Sequence, residues 1–295
     1  MPKEFELILG VDQTGAVLGK GLRAKPLPVV LAVKEKEKWK IITHKQRKLL
    51  FLERFEPDTI ARLLDSHGFS GSLNNLACMV DCVFGLPSLT DPQIKRGSTY
   101  LWDLFYEASK FSFSKKEYGR EVAEKFFSQF LPKRCNKLPT RFCEEVSGSN
   151  SVFQVRPYQK NIQTGTFRIW KEMGGLKKPW ARVWPFDSAG TAEEKEGPWL
   201  FEGYPSLIWR EVLKSKIRNP LLLKRLSQKT GLKLAVDNFK ALETAPDHAD
   251  AFVLALGAIS LLAKNELWEP WPLFFKEPRR LQEGWILGLK PTKDI

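Results

Sequence analysis

Five acidic residues stand where an acid is hard to explain as surface decoration: Asp12, Asp81, Glu202, Asp247 and Asp250. Asp12 closes the apolar run 7–11 (LILGV) and opens a polar turn with glycine at 15. Asp81 interrupts the apolar run 76–84 (LACMVDCVF), which closes on Gly85-Leu86-Pro87. Glu202 ends the run PWLFE just before a Gly-Tyr-Pro turn. Asp247 and Asp250 begin the most apolar stretch of the chain, 247–264 (DHADAFVLALGAISLLAK). Their spacing of three places both on one face of a helix start. A carboxylate at the end of a buried strand is costly to bury alone and needs a partner or a cation. Four or five gathered carboxylates stay ionised only with divalent cations, because like charges at short range disfavour ionisation. Hard oxygen donors of this kind suit Mg²⁺ or Mn²⁺.

Each acid also has an ordinary alternative. Asp12 can initiate and cap the turn that follows it. Asp81 can be a buried acid with an internal hydrogen bond, and Glu202 can pair with one of the many lysines. Asp247, after Pro246, suits a helix N-cap, and Asp250 three residues on imitates a capping box. His248 points about 100° around the helix from its neighbour and is expected to face solvent.

The elements that must position these acids can be read in turn. Residues 7–11 read as a strand buried on both faces, at the centre of a mixed or parallel sheet. Strands over 27–33 and 38–44, with the charged KEKEK of 34–38 as the turn, complete an antiparallel meander. The basic residues between 34 and 48 fit a solvated edge that discourages aggregation, or a track for a phosphate backbone. An amphipathic helix over 57–64 then leads to the strand 76–84, and this order sets 76–84 parallel to the first strand. A further strand covers 198–204, with Glu202 near its end. Pro205 opens a helix through 213, basic helical sequence fills 214–229, and 283–290 (EGWILGLK) reads as a hairpin. In an open α/β sheet, sites form outside the carboxyl ends of parallel strands. Asp12, Asp81, Glu202 and the helix start at 247–250 are therefore expected to converge there.

Between 91 and 184 the texture changes. Helical periodicity covers 98–110, 116–131 and 164–173, with a proline-rich connection at 132–139 and a loop at 147–151. This stretch reads as a largely helical insertion or cap inside a single domain spanning 1–295. It leaves the core directly after Asp81 and is expected to overhang the acids. Within it, Arg156, Tyr158 and Lys160 (RPYQK) are candidate contacts to phosphate and base, or else an ordinary surface loop.

The formal charge of +13 over 295 residues and a pI near 9.5 suit a polyanionic partner, nucleic acid before membrane. An acidic metal site in a basic chain suits phosphodiester hydrolysis, with lysine and arginine holding the backbone. No apolar run reaches membrane-spanning length, and the longest, 251–263, fits a buried helix. The opening MPKEFE lacks the layout of a signal peptide, which points to the cytoplasm. Cys78, Cys82, Cys135 and Cys143 show no CxxC pairing, so buried reduced thiols are expected in place of zinc.

Together, LILGVDQTGA, MVDCVFGLP, FEGYPSLIW and DHADAFVLALGA resemble the RNase H-like superfamily. Its RuvC-like resolvases carry a comparable acid on the first strand and a D-x-x-D-A start to the last helix. The set is more closely similar to an uncharacterised family of predicted RNase H-like nucleases. That family also shows an aspartate before a G-L-P strand end, an E-x-Y/H-P segment and a terminal E-G-W-I hairpin. The resemblance implies a five-stranded mixed sheet flanked by helices and metal-dependent cleavage of nucleic acid. It implies Asp12, Asp81, Glu202, Asp247 and Asp250 as the catalytic, metal-binding set, although Glu202 departs from the simplest resolvase pattern. The insertion matches only loosely. Two other functions compete. One is a nucleic-acid-binding or scaffold protein that kept the fold and lost the chemistry. The other is a phosphotransferase of the actin and hexokinase kind, which needs a second D-x-G-type phosphate loop that Gly174-Gly175 and Gly284 do not supply.

Overall fold

The apolar runs read from the sequence assemble into one central sheet. In the computed structural model, residues 5–13, 25–46, 48–88, 98–111, 119–132, 137–154, 162–176, 178–187, 196–214, 231–269 and 279–290 are described. The strands are β1 (Leu7–Val11), β2 (Leu27–Glu35), β3 (Lys38–Ile42), β4 (His44–Lys45), β5 (Lys48–Leu49), β6 (Phe51–Leu52), β7 (Leu76–Val80), β8 (Arg182–Val183), β9 (Trp199–Glu202) and β10 (Leu234–Val236). The main sheet runs β10-β3-β2-β1-β7-β9-β8, with β6 added to β2, while β4 and β5 form a separate ribbon. β2 is antiparallel to β1 and β3. The pairs β1–β7, β7–β9, β9–β8 and β3–β10 are parallel, so the sheet is mixed and mostly parallel.

The sheet therefore has eight strands where five were expected. The additional ones, β6, β8 and β10, are two or three residues long and leave no apolar run to read. The segment 283–290 is also not a hairpin. A short helix, Arg280–Glu283, ends at Gly284 with φ 81°, and Ile286 then bridges Glu202 in parallel. Leu287 donates its N–H to the Glu202 carbonyl at 2.8 Å.

Side-chain alternation along the central strands divides the interior in two. Leu7, Leu9, Val11, Cys78, Val80 and Leu200 belong to one core; Ile8, Ala77, Met79 and Phe201 belong to the other. The first is covered by helices α1 (Pro57–Asp65), α2 (Ser98–Lys110), α3 (Gly119–Ser128) and α5 (Ile162–Met173); the short α4 (Phe142–Ser147) precedes α5. Three of these covering helices come from the 91–184 stretch, which thus supplies most of a layer of the molecule. The second core is covered by α6 (Pro205–Leu207) with its π-helical continuation Ile208–Val212, by α7 (Phe239–Thr244), and above all by α8 (Pro246–Ala263).

α8 is long and apolar enough to cross a membrane by length and composition, yet 78% of it is buried inside the protein. Phe252, Val253, Leu254 and Leu256 are all fully buried, each such side chain contributing about 1.5–3 kcal/mol. The close approach depends on Gly10 of β1. A Cβ there would land on the backbone carbonyl of Ala251, so only glycine lets α8 lie this close to the strand.

Candidate acidic site at the carboxyl ends of the parallel strands

Asp12 and Asp81 are neighbours on adjacent parallel strands. Val11 and Val80 are in register, Asp81 donates its N–H to the Val11 carbonyl at 2.9 Å, and Asp12 donates to Pro28 at 3.0 Å. Both acids therefore prolong the ladder by one residue, at adjacent positions about 4.8 Å apart between strands. Alternation gives them a common face. Asp12 follows Ile8 and Gly10, and Asp81 follows Ala77 and Met79, the rows that meet α8. Their exposures are 0% and 6%.

The first turn of α8 arrives on that same face. Ala251 is the residue seated on Gly10, so Asp250 just before it lies over the end of β1; it is buried, and Asp247 three residues earlier is half-buried. Neither aspartate is the N-cap residue. The N-cap is Ala245, which makes no side-chain capping bond, and Pro246 occupies the first helical turn. Proline has no N–H to satisfy at that position, which lessens the need for a side-chain cap.

His248 does not face solvent. It is buried, and its Nε2 lies 2.8 Å from the Leu50 carbonyl, to which it donates, with the Phe51 ring edge-on at 4.8 Å. Nothing local announces this contact, because Leu50 lies in the link between the two-residue strands β5 and β6. Burial pushes its pKa below the ordinary histidine value, against the Leu50 hydrogen bond and the charge of Asp247.

Glu202 is the acid that the structure sets apart. It shares its face with Leu200, in the first core, and pairs in register with Val80 of that core. It thus faces away from the Asp12–Asp81 row. Its carboxylate is held by Arg141, Nη2 to Oε1 at 2.5 Å and Nη1 to Oε2 at 2.7 Å, and Oε2 also accepts from the Phe84 N–H at 2.7 Å. The partner is a buried arginine, where a surface lysine was the alternative. Glu202 is engaged by the Arg141 guanidinium and the Phe84 N–H, and it lies with Asp81 near Cys82.

Arg141 is the residue that sequence reasoning missed. It is 1% exposed, and its Nε donates to Glu144 at 2.8 Å while Nη1 also reaches the carbonyls of Phe84 and Glu283. Glu283 in turn accepts from the N–H groups of Ser88 and Phe142. Burial works against the Arg141 charge, but the surrounding anionic groups outweigh it and hold its pKa well above the usual arginine value. Burial likewise raises Glu144, opposed by Arg141. The network fastens the loop after Asp81, the end of β9, the start of α4 and the end of α9 (Arg280–Glu283) to one another. Arg141 and Glu202 are 61 positions apart, and the sequence between them carries no motif that announces the pairing.

Arg156, Tyr158 and Lys160 lie outside the described residues, as do 215–229 of the basic stretch and Cys135. Among the described residues, no three His, Cys, Asp or Glu side chains are drawn into a ready-formed metal centre. Compared with family models, characterised proteins and solved structures, the chain matches none.

Proposed function

We propose that the protein is a divalent-metal-dependent nuclease with an RNase H-like core, hydrolysing phosphodiester bonds of nucleic acid. The observation that carries this reading is the placement of Asp12 and Asp81, side by side at the carboxyl ends of central parallel strands, with the first turn of α8 on the same face. The inner strands β3-β2-β1-β7-β9, in which only β2 runs against the rest, agree with the five-stranded mixed sheet that the sequence resemblance implies. Carboxylate oxygens are the donors that Mg²⁺ and Mn²⁺ prefer. Asp12, Asp81 and Asp250 would hold the cations, with Asp247 at the rim; Glu202 is left out because Arg141 occupies it. Bound there, divalent cations would lower the pKa of water and offset charge on the phosphate. The chain's own part is to fix the carboxylates on a rigid sheet end and to attract the polyanion through its net charge of +13.

The test is a panel of labelled single-stranded, double-stranded and junction-bearing DNA and RNA, with Mg²⁺ or Mn²⁺, for wild type, Asp12→Asn and Asp81→Asn. Cleavage by the wild type that both variants lose is the expected result. Nucleic-acid binding with no cleavage and no response to Mn²⁺ would leave a binding or scaffold protein instead.

A further inference from the structure

Between α3 and the start of α5, the 91–184 stretch forms a pocket of about 290 Å³. Among the described residues it is lined by Arg120, Glu124 and Ser128 of α3, by Leu131 and Phe153, and by Gln163 in the first turn of α5. Gln163 is only 3% exposed, yet its amide makes no hydrogen bond among the described residues. Buried side-chain amides are nearly always paired. One that lines a cavity unpaired has a donor and an acceptor to offer a ligand. Phe153 is 5% exposed and adds an aromatic wall, steadied by Phe127 edge-on at 6.3 Å. At the rim Arg120, its side chain 45% exposed, donates Nε to Glu124 at 2.8 Å. Its two Nη groups make no hydrogen bond among the described residues.

We propose that this pocket binds one unpaired nucleotide, with the base against Phe153, its hydrogen-bonding edge on the Gln163 amide and its phosphate toward Arg120. A side-chain amide presents a donor and an acceptor side by side, the pattern that reads a base edge. Aromatic walls are a common way of holding unpaired bases. The volume lies just below that of ordinary ligand sites, about 300–1,000 Å³, which suits a single nucleotide and shuts out a duplex. The net charge of +13 favours a phosphate-bearing ligand over a peptide. None of the lining residues is one of the five acids, so the site stands without the metal-site reading. To a nuclease it would add a preference for unpaired strands.

The measurement is equilibrium dialysis of the full chain in EDTA against AMP, GMP, CMP and UMP, their nucleosides, ribose 5-phosphate and a blocked Phe-Gly dipeptide. At least one nucleotide is expected to bind, and ribose 5-phosphate and the dipeptide are not. Gln163→Leu, of similar size, should weaken that nucleotide about tenfold or more, the scale of a good bidentate contact to a base. It should not lower the melting temperature, because the amide has no described partner to lose. Arg120→Ala should weaken the nucleotide and leave its nucleoside unchanged. A pocket that takes none of the four, ribose 5-phosphate binding as tightly as the nucleotide, or affinity unchanged in Gln163→Leu overturns the proposal. Binding of the dipeptide in their place overturns it in favour of a peptide site. If Gln163→Leu does not fold, Arg120→Ala at the exposed rim decides alone, through the nucleotide against its nucleoside. With EDTA present, failure here leaves the nuclease reading standing, and absence of cleavage or of Mn²⁺ binding leaves the pocket standing.

Discussion

The guanidinium of Arg141 closes on the carboxylate of Glu202 from two sides, with the side chains 1% and 3% exposed. A buried pair of this kind is weak evidence of net stabilisation, but removing one partner strands the other as an uncompensated charge. Arg141→Met leaves Glu202 and Glu144 buried together and is expected to cost about 3–5 kcal/mol in urea denaturation. Glu202→Gln is expected to lower the melting temperature yet keep the full Mn²⁺-induced rise. Loss of that rise would return Glu202 to the metal site.

Asp12→Asn is expected to abolish cleavage with the fold intact. At Mn²⁺ about 100 times its dissociation constant the wild type should gain about 2.7 kcal/mol of stability, and the variant little of it. Without metal the variant should melt no lower than wild type, because one of several neighbouring negative charges is gone. A turn cap would be largely preserved by asparagine, so full activity and an unchanged Mn²⁺ response would remove Asp12 from the site.

Asp250 and Asp247 should separate in their effects. Asp250 is buried over β1, and Asp247 is half-buried in the first turn of α8. Asp250→Asn is expected to suppress both cleavage and the Mn²⁺ response. Asp247→Asn should cost only about 0.3–1 kcal/mol, from the lost attraction to the helix N-terminus, with a smaller effect on rate. Equal losses in paired cleavage assays would make both of them ligands.

Gly10→Ala drives a methyl into the Ala251 backbone carbonyl, which no side-chain rotation can relieve. The expected cost is at least about 1–3 kcal/mol, with a larger fractional loss of activity than of folded protein as α8 is pushed off the end of β1. Denaturant melts and cleavage rates on the folded fraction measure the two effects.

Cys78, Cys82 and Cys143 are buried, and burial pushes all three thiols well above the ordinary range; Glu202 and Asp81 push Cys82 further. A raised thiol pKa means less thiolate at any given pH, and thiolate is the reactive form. Peptide mapping after iodoacetamide at pH 8 should find these three unmodified in native protein and modified in urea. Rapid labelling of Cys82 in the native state would show that the loop after Asp81 opens.

The central strands were legible because β1, β2 and β7 are almost unbroken apolar runs, and burial on both faces requires such runs. The two-residue β8 and the half-buried β10 were not, since neither is long enough to show a period. Asp12 and Asp81 stood out because each sits in or beside a run with no other charge. Glu202 looked the same along the chain. Its partner was invisible, because Arg141 reaches it through tertiary packing across 61 residues. Thr166 and Trp170 fall within the helix expected over 164–173, and nothing local marks which of its buried polar atoms meets the loop after Asp81. The terminal stretch 283–290 reads as a hairpin. Its glycines at 284 and 288, with φ 81° and 73°, instead steer a single pass of chain along the end of β9.

The sheet is stitched from distant parts of the polypeptide: Leu7 with Leu76, Ala77 with Trp199, Glu202 with Ile286. During synthesis at about 5–20 residues per second, roughly 10–30 s pass between the emergence of β7 and that of α8. Throughout that interval Ile8, Ala32 and Met79 lack the helix that later covers them. The nascent chain therefore presents a bare apolar sheet face, the kind of surface that holdase chaperones bind. Because Asp250 is made only with α8, the acidic end is assembled among the last parts of the molecule.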